Sequence, residues 1–387
     1  MKLSRKHYTL LIILITEVLG WSLILPFLPF YAQSLGATKF QVGLLLTSFS
    51  LFQFVTAPIM GGLSDKFGRR PLLIFSQLTT ALSFTVLGLA NSLPLLFVSR
   101  IMDGFLGANG TIAQAYLGDI TSKKDRSKAF GITGVAFSVG FMIGPALGGF
   151  LSQISYSIPA LIAAGLSLLS LIFTYFFLPE TITKKPDHKL EFTIFDLEQF
   201  KKYWQVPAIR QQLIEFSTYI LAQVLLSSNF ALIADDRFGF GPKQVGIIMA
   251  YIGVVSIVLR GILIPKMIDR WNERSLERVA GLSMMTGLIG LSWASQMSQL
   301  ILVISFFAFG SGLLRPLMMG DISRSVNKNE QGKIMGITSS LGSLAQIFGP
   351  LVGSFLISQS HPNSVLLLAA TILSLGIYLV FQERKDY

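Results

Sequence analysis

The sequence has no cysteine, only three histidines (His7, His188 and His361) and only 13% charged residues. The first absence removes disulfides, thiolate nucleophiles and Cys-ligated metals, and leaves the redox compartment open. The three histidines stand far apart at predicted membrane edges or in loops, so neither a bound metal nor a His-based catalytic cluster is expected, and no cofactor is called for. A soluble domain carries roughly 25% Asp, Glu, Lys and Arg. With 52% hydrophobic residues and 31 Phe, this chain could not cover itself with polar groups in water, and disorder, which needs low hydrophobicity, is excluded too. A nucleotide-phosphate loop is also missing: the only Gly-Lys pair, Gly332–Lys333, precedes Ile334 rather than Ser or Thr.

What is present is a series of apolar runs. A membrane-spanning helix takes about 20 apolar residues, and punctuation by polar residues, Gly and Pro predicts spans near 8–31, 41–61, 71–90, 94–117, 129–151 and 157–178, then near 208–234, 244–265, 276–296, 299–320, 334–357 and 363–381. The opening MKLSRKHY and the apolar run to Phe30 mimic a signal peptide. The run is too long for one and no small-residue cleavage site closes it, so it reads as a retained first span. The fold class is therefore an all-α membrane protein with twelve spans: a first six-span half at 1–180, a linker at 181–207 and a second half at 208–387. In the linker, Phe195, Leu197, Phe200 and Tyr203 among charges suggest a short interfacial helix.

The 31 Lys and Arg against 20 Asp and Glu leave a net charge of +11. With the amino terminus inside, the outer loops carry only Lys39, Arg237 and Lys243, while Arg100, Arg260 and Arg315 fall within spans. All other basic residues lie on inner segments, which places both termini in the cytoplasm. Topology alone then accounts for the basic balance, and no nucleic-acid partner is required.

The halves repeat. QVGLL at 41–45 returns as QVGII at 244–248, GDIT at 118–121 as GDIS at 320–323, SKAFGIT at 127–133 as GKIMGIT at 332–338, and Gly144–Pro145 as Gly349–Pro350, at offsets of 202 to 205. Two copies of six spans share an orientation, related by an axis along the membrane normal, and that architecture places a cavity between two bundles near the midplane.

Between spans 2 and 3 lies GGLSDKFGRRPLL, with Gly61, Leu63, Asp65, Gly68, Arg69 and Arg70 on a very short connection. A tight turn with inside-positive charge explains the Gly and Arg but not the Asp. Here the chain resembles the major facilitator superfamily, whose inner-loop signature reads GxLxDxxGRR. A degenerate second copy follows span 8, where Asp269, Arg270, Trp271 and Arg274 align with Asp65, Lys66, Phe67 and Arg70, and Asn272 replaces the glycine. The resemblance implies that Asp65 meets a helix amino terminus of the other half and favours an outward-open state by charge–dipole attraction of about 0.3–2 kcal/mol. Span 4 reads RIMDGFLGANG at 100–110, similar to the family's RxxxGxxG signature, with Asp103 where that family is usually uncharged or amidic. Span 5 reads GFMIGPALGG at 140–149, similar to the GxxxGPxxGG signature associated with antiporters (Gly140, Gly144, Pro145, Gly148, Gly149). Since Gly140, Gly144 and Gly148 correspond to Ala345, Gly349 and Gly353 in the second half, close helix packing explains much of this stripe, and Pro145 and Gly149 are what remain to favour antiport. With EVLGWSLILPFLP at 17–29, the chain looks most like the twelve-span drug/proton antiporters of tetracycline-exporter type, which implies two pseudo-symmetric six-helix bundles.

Glu17, Asp103 and Glu215 sit inside spans, where each charge at a helix centre costs roughly 2.5–3.5 kcal/mol on insertion scales. Glu17 lies about 14 Å of helix into span 1 and shares a face with Trp21. Desolvation disfavours a carboxylate there unless a cation binds beside it, so Glu17 is the candidate that trades a proton for a substrate, against the plainer reading of an ion pair with Arg100 or another buried Arg. Arg100 and Asp103 are three apart and expected to pair, with proton relay as a bolder role for Asp103. Glu215 opens a polar stripe with Tyr219 and Gln223 at steps of four, and reads either as substrate site or as interfacial structure. Arg260 and Arg315 lie near the cytoplasmic ends and are expected to snorkel.

The leading functional expectation is proton-driven export of a small, largely apolar or cationic molecule by alternating access. Trp21, Phe27 and Tyr219 would supply apolar contact, in a monomer of the inner or plasma membrane whose partners are substrate, protons and lipid. Proton-coupled uptake of a nutrient or organic ion uses the same fold. A membrane enzyme would need a Ser/His, His-metal or paired-Asp constellation within spans, and none is found. A transporter-like sensor would be expected to carry a sizeable soluble domain or tail, for which the termini are too short.

Overall fold

The computed structural model describes residues 4–122, 125–182, 196–259, 263, 266–267, 270–327, 330–359 and 361–382, with side chains at 126–133 and 135 left aside. Arg260, Asp269, His188, Phe195 and most of the 181–195 part of the linker lie outside the described residues, as do the SKAFGIT side chains. Among the described residues all regular structure is helical.

Over the described residues each sequence span coincides with helix, but two of them are broken. The first is α1 (Arg5–Ile24) followed by α2 (Leu28–Ser34). Pro26 lacks an N–H to continue α1, while Pro29 suits the first turn of α2, where no donor is needed. The fourth is α5 (Leu93–Leu106) and α6 (Asn109–Ile120), separated at Gly107–Ala108. The others of the first half are α3 (Lys39–Phe67), α4 (Arg69–Gly88), α7 (Arg126–Leu151) and α8 (Ser157–Phe177). The short α9 (Leu197–Trp204) lies in the linker, where Asp196 caps it by accepting the Gln199 N–H. The second half continues with α10 (Pro207–Phe238), α11 (Pro242–Val258), α12 (Glu273–Trp293), α13 (Met297–Arg324), α14 (Gln331–Gln359) and α15 (Asn363–Phe381). Among the described residues, eight of the spans are long and apolar enough as helices to cross a membrane. Of the rest, the α5–α6 span is interrupted, and α12 carries Glu273, Arg274, Glu277 and Arg278 in its first two turns.

The chain forms two compact units. The first comprises Met1–Thr38, Ser48–Ile194 and Phe240–Gly253, the second Lys39–Thr47, Phe195–Gly239 and Val254–Tyr387. In the first unit α1 packs on α7 and α8, and α4 on α5 and α8; in the second, α10 packs on α14 and α15, and α12 on α13 and α15. The two sets of pairs are the same set shifted by one half. Leu10, Ile13, Leu73, Ile112, Tyr116 and Leu178 form the centre of the first unit, while Phe150, Phe176 and Trp293 are exposed, as a lipid solvent permits.

The units differ from the sequence halves at the two QVG repeats. In the second unit, a Cβ on Gly43 would fall 1.8 Å from Ser354 Oγ and 2.7 Å from the Pro350 carbonyl oxygen; in the first, a Cβ on Gly246 would fall 2.2 Å from the Pro145 carbonyl oxygen. Each repeat glycine therefore lies against the Gly-Pro step of the opposite half of the sequence, at a separation no side chain would allow.

Candidate functional site

In the first unit, half-buried Glu17 accepts a hydrogen bond at Oε2 from Asn109 Nδ2 at 2.7 Å, while its Oε1 has no hydrogen-bond partner among the described residues. Ser170 of α8 and Gln77 of α4 flank the carboxyl, and Gln77 Nε2 donates to Ser170 Oγ at 3.0 Å. One turn on, Trp21 meets Phe141 of α7 edge-on, with ring centroids 5.4 Å apart. Asn109 reaches Glu17 because span 4 breaks just before it. The Gly107 N–H still bonds the Asp103 carbonyl at 2.7 Å, but the Ala108 N–H turns to Ser76 Oγ at 2.7 Å, and α6 starts afresh at Asn109. A Cβ on Gly107 would fall 2.4 Å from the Asp103 carbonyl oxygen and 2.9 Å from Thr80 Oγ1. Sequence reasoning ran span 4 through this point and missed Asn109; a glycine two positions before an amide in an apolar run was the available signal.

Arg100 and Asp103 pair as their spacing predicts, with Nη1 3.4 Å from Oδ2 and both side chains buried. The guanidinium also donates to Ser99 Oγ at 3.1 Å and lies over the Phe84 ring, 5.3 Å from its centroid. Glu17 thus takes its hydrogen bond from a neutral amide, and the buried guanidinium is neutralised by Asp103. An acid ringed by amides and hydroxyls, its counter-charge spent elsewhere, can exchange a proton with little rearrangement of charge around it.

The Gly61–Arg70 motif lies at the α3–α4 turn. Asp65 is half-exposed and ion-paired with Arg69, whose Nε reaches Asp119 Oδ2 at 3.0 Å and whose Nη1 reaches Ser64 Oγ at 2.6 Å. Gly68 has φ of 108°, and a Cβ there would meet the Glu180 carboxylate at 2.5 Å. That carboxylate accepts the Arg69 and Arg70 N–H groups at 3.0 and 3.1 Å, closing the start of α4 with a negative charge where the helix dipole favours one. Glu180 is a second residue that sequence reasoning passed over, since it stands more than 100 residues from the turn it caps.

On α7 the antiporter-like stripe faces two ways. Cβ atoms on Gly140, Gly144 and Gly148 would fall 2.4 Å from Val18, 1.9 Å from Ser22 and 1.9 Å from the Leu23 carbonyl, so this face seats α1, the helix that carries Glu17. Ser22 Oγ donates to the Gly140 carbonyl at 2.9 Å. Pro145 and Gly149 face α11 instead, where a Cβ on Gly149 would lie 2.4 Å from the Pro242 carbonyl oxygen.

In the second unit Glu215 is buried and held by Arg274 of α12, whose Nη2 and Nη1 reach its two oxygens at 3.0 and 3.2 Å, and by Gln211 Nε2 at 3.0 Å. Arg274 also binds Glu277 at 2.9 Å. Tyr219 is fully buried, and its hydroxyl bonds Gln223 Oε1 and lies 3.1 Å from the Ser311 carbonyl oxygen. Tyr219 is Glu17 plus 202, and Ser311 is Asn109 plus 202. The contact between the first helix and the fourth span therefore recurs in both units, with an acid in one and a phenol in the other. Arg315 is exposed. Among the described residues no group of three His, Cys, Asp or Glu is placed to hold a metal.

The sequence model of the Major Facilitator Superfamily matches residues 10–350 and again 277–386. The chain belongs to the major facilitator superfamily. It is 31% identical over 408 residues to the tetracycline resistance protein, class H, of Pasteurella multocida, with 99% of this chain and 98% of that protein covered. It is 29% identical over 402 residues to multidrug resistance protein 2 of Bacillus subtilis (strain 168), with 100% and 98% covered. Among solved structures, the D-xylose-proton symporter superposes with a TM-score of 0.75 at 15% identity over 97% of each chain, a likeness of fold alone. As a major facilitator protein, the chain is an integral membrane protein built of two pseudo-symmetric six-helix bundles, and the shifted helix pairs of its two units express that repeat.

Proposed function

We propose that this major facilitator protein is a proton-coupled antiporter, exporting small apolar or cationic molecules by alternating access. The observation that carries the reading is Glu17, an acid halfway along the first helix, bonded to an amide and not to a guanidinium. The likeness to tetracycline and multidrug resistance proteins supports the drug-like substrate class. In this reading Glu17 carries the proton, and Trp21 with Phe141 forms an aromatic wall beside it. Asp65 acts on the conformational equilibrium through the Arg69–Asp119 network. The working form is a monomer in the plasma membrane, with the Lys/Arg-rich connections and both termini in the cytoplasm. A membrane potential supplies about 2.3 kcal/mol per charge per 100 mV, to which the pH gradient adds.

Inverted membrane vesicles test this. An inside-acid gradient is expected to drive accumulation of tetracycline or a lipophilic cationic dye. Absence of accumulation, with gradient-driven uptake in intact cells instead, overturns export in favour of import.

A further inference from the structure

The start of α3 is held by α10 and α14. This helix changes unit between Thr47 and Ser48, and the part before that point belongs to the second unit. There Phe40 meets Phe355 edge-on with ring centroids 6.0 Å apart, Gly43 lies against Ser354 and the Pro350 carbonyl, and Thr47 Oγ1 donates to the Ile347 carbonyl at 2.9 Å. Phe40, Gly43 and Thr47 stand three and four residues apart, on one face of the helix. At the rim, Lys39 Nζ reaches both carboxylate oxygens of Asp236, near the end of α10, at 2.6 and 2.5 Å. The next residue, Arg237, donates to the Ser292 and Ala294 carbonyls at 3.0 and 2.8 Å, so the Asp236 carboxylate stands on a helix end already tied to the end of α12.

The repeat shows that this kind of helix contact does not itself need a charge. The start of α11 belongs to the first unit, where Gly246 and Gly253 lie against the Pro145 carbonyl and the Met142 backbone of α7. At the offsets of 203 and 202 that relate their helices, the counterparts of Lys39 and Asp236 are Pro242 and Ser34, and neither is charged. The other basic residues expected on the outer loops are engaged without an acid: Arg237 binds the carbonyls at the end of α12, and Lys243 lies over the Phe150 ring, 5.4 Å from its centroid. An ion pair is thus added to one copy of a contact that packs without one in the other.

We propose that Lys39 and Asp236 form a breakable outer clasp, which holds the start of α3 on α10 while the transport site faces inward and parts when substrate is released outward. The inference rests on the alternating-access reading with cytoplasmic termini, which puts this rim on the outer side. Gly43 lets α3 and α14 close to backbone contact, and the ion pair fixes that closure from the rim. With 31% and 22% of their side-chain surface exposed, both ions regain water as they part, so the pair holds without locking. A fully buried pair would instead leave two uncompensated charges on opening.

The chain has no cysteine, so Lys39→Cys combined with Asp236→Cys can be joined selectively by a bifunctional methanethiosulfonate whose spacer replaces the lysine stem. Gradient-driven movement of tetracycline or a lipophilic cationic dye is then followed in proteoliposomes. Transport is expected to fall to background on cross-linking and to return on reduction, because a joined clasp cannot part. A static contact would not respond in this way, and transport by the cross-linked protein at the rate before cross-linking overturns the proposal. Should the cysteine pair fail to insert, charge exchange decides. Lys39→Asp and Asp236→Lys are each expected to lower transport several-fold, and the two together to restore most of it; unchanged single variants, or a double variant that is not restored, overturn the clasp. The reading beneath it fails separately: import in place of export rejects antiport, while the clasp is still judged by whether cross-linking arrests that import.

Discussion

Arg70 donates to the carbonyl of Tyr175, on the last helix of its half. Arg274, 204 positions later, donates at 3.1 Å to the carbonyl of Leu379, itself 204 positions after Tyr175. The two arginines fasten the third span of each half to the sixth. Their companions differ: Arg70 lies over the Tyr175 ring at 5.4 Å, whereas Arg274 also binds two buried acids.

That difference predicts a structural role for Glu215. Glu215→Gln leaves Arg274 with Glu277 as its remaining acid partner, and because Arg274 is partly exposed the loss is expected to be about 1–2 kcal/mol, below the usual figure for breaking a fully buried pair. Thermal unfolding in detergent checks the loss of stability, while the pH profile of transport should stay as in wild type. Lost proton coupling at unchanged stability would return Glu215 to the transport site.

Glu17→Gln keeps the shape and the hydrogen-bonding capacity of the side chain but removes the titrating group. Proton-coupled transport is expected to fall to background while insertion and thermal stability are kept. Proton flux at wild-type level, measured with a pH-sensitive dye, would reject Glu17 as carrier.

Asp65→Asn leaves Arg69 bound to Asp119 and Ser64, so the local turn should survive. A change in the equilibrium between conformations alters turnover before it alters ground-state affinity. A several-fold fall in kcat with KM within about twofold is expected from initial-rate measurements, and the reverse pattern would assign Asp65 to substrate binding.

Gly144→Ala and Gly165→Ala form a matched pair. A Cβ at Gly144 would sit 1.9 Å from Ser22 Oγ, whereas at Gly165 it meets nothing within 4 Å. Overpacking is expected to cost the first variant about 1–3 kcal/mol and to slow transport by displacing α1, while the second should unfold within about a degree or two of wild type.

The twelve spans, the inner-loop motif and the repeat were legible because each leaves a local mark: hydrophobic length, a turn glycine beside charges, or a recurring string. Asn109 and Glu180 leave none. Asn109 is one amide in a span whose composition reads as continuous helix, and its importance appears only once the break at Gly107 aims it at α1. Glu180 looks like an ordinary loop acid until the chain returns it to Gly68. Glu215 shows a different gap: a charge within an apolar run signals cost without naming a partner, and only the folded chain brings Arg274 to it.

From the amino acids alone came the solvent, the number of crossings, the twofold repeat and the family, since all of these depend on composition and on order along the chain. Which acid within the spans has no cation beside it among the described residues was settled by tertiary structure. Pairing is decided by the faces that distant helices bring together: Asp103 and Glu215 found guanidinium groups on nearby turns or neighbouring helices, and Glu17 found an amide.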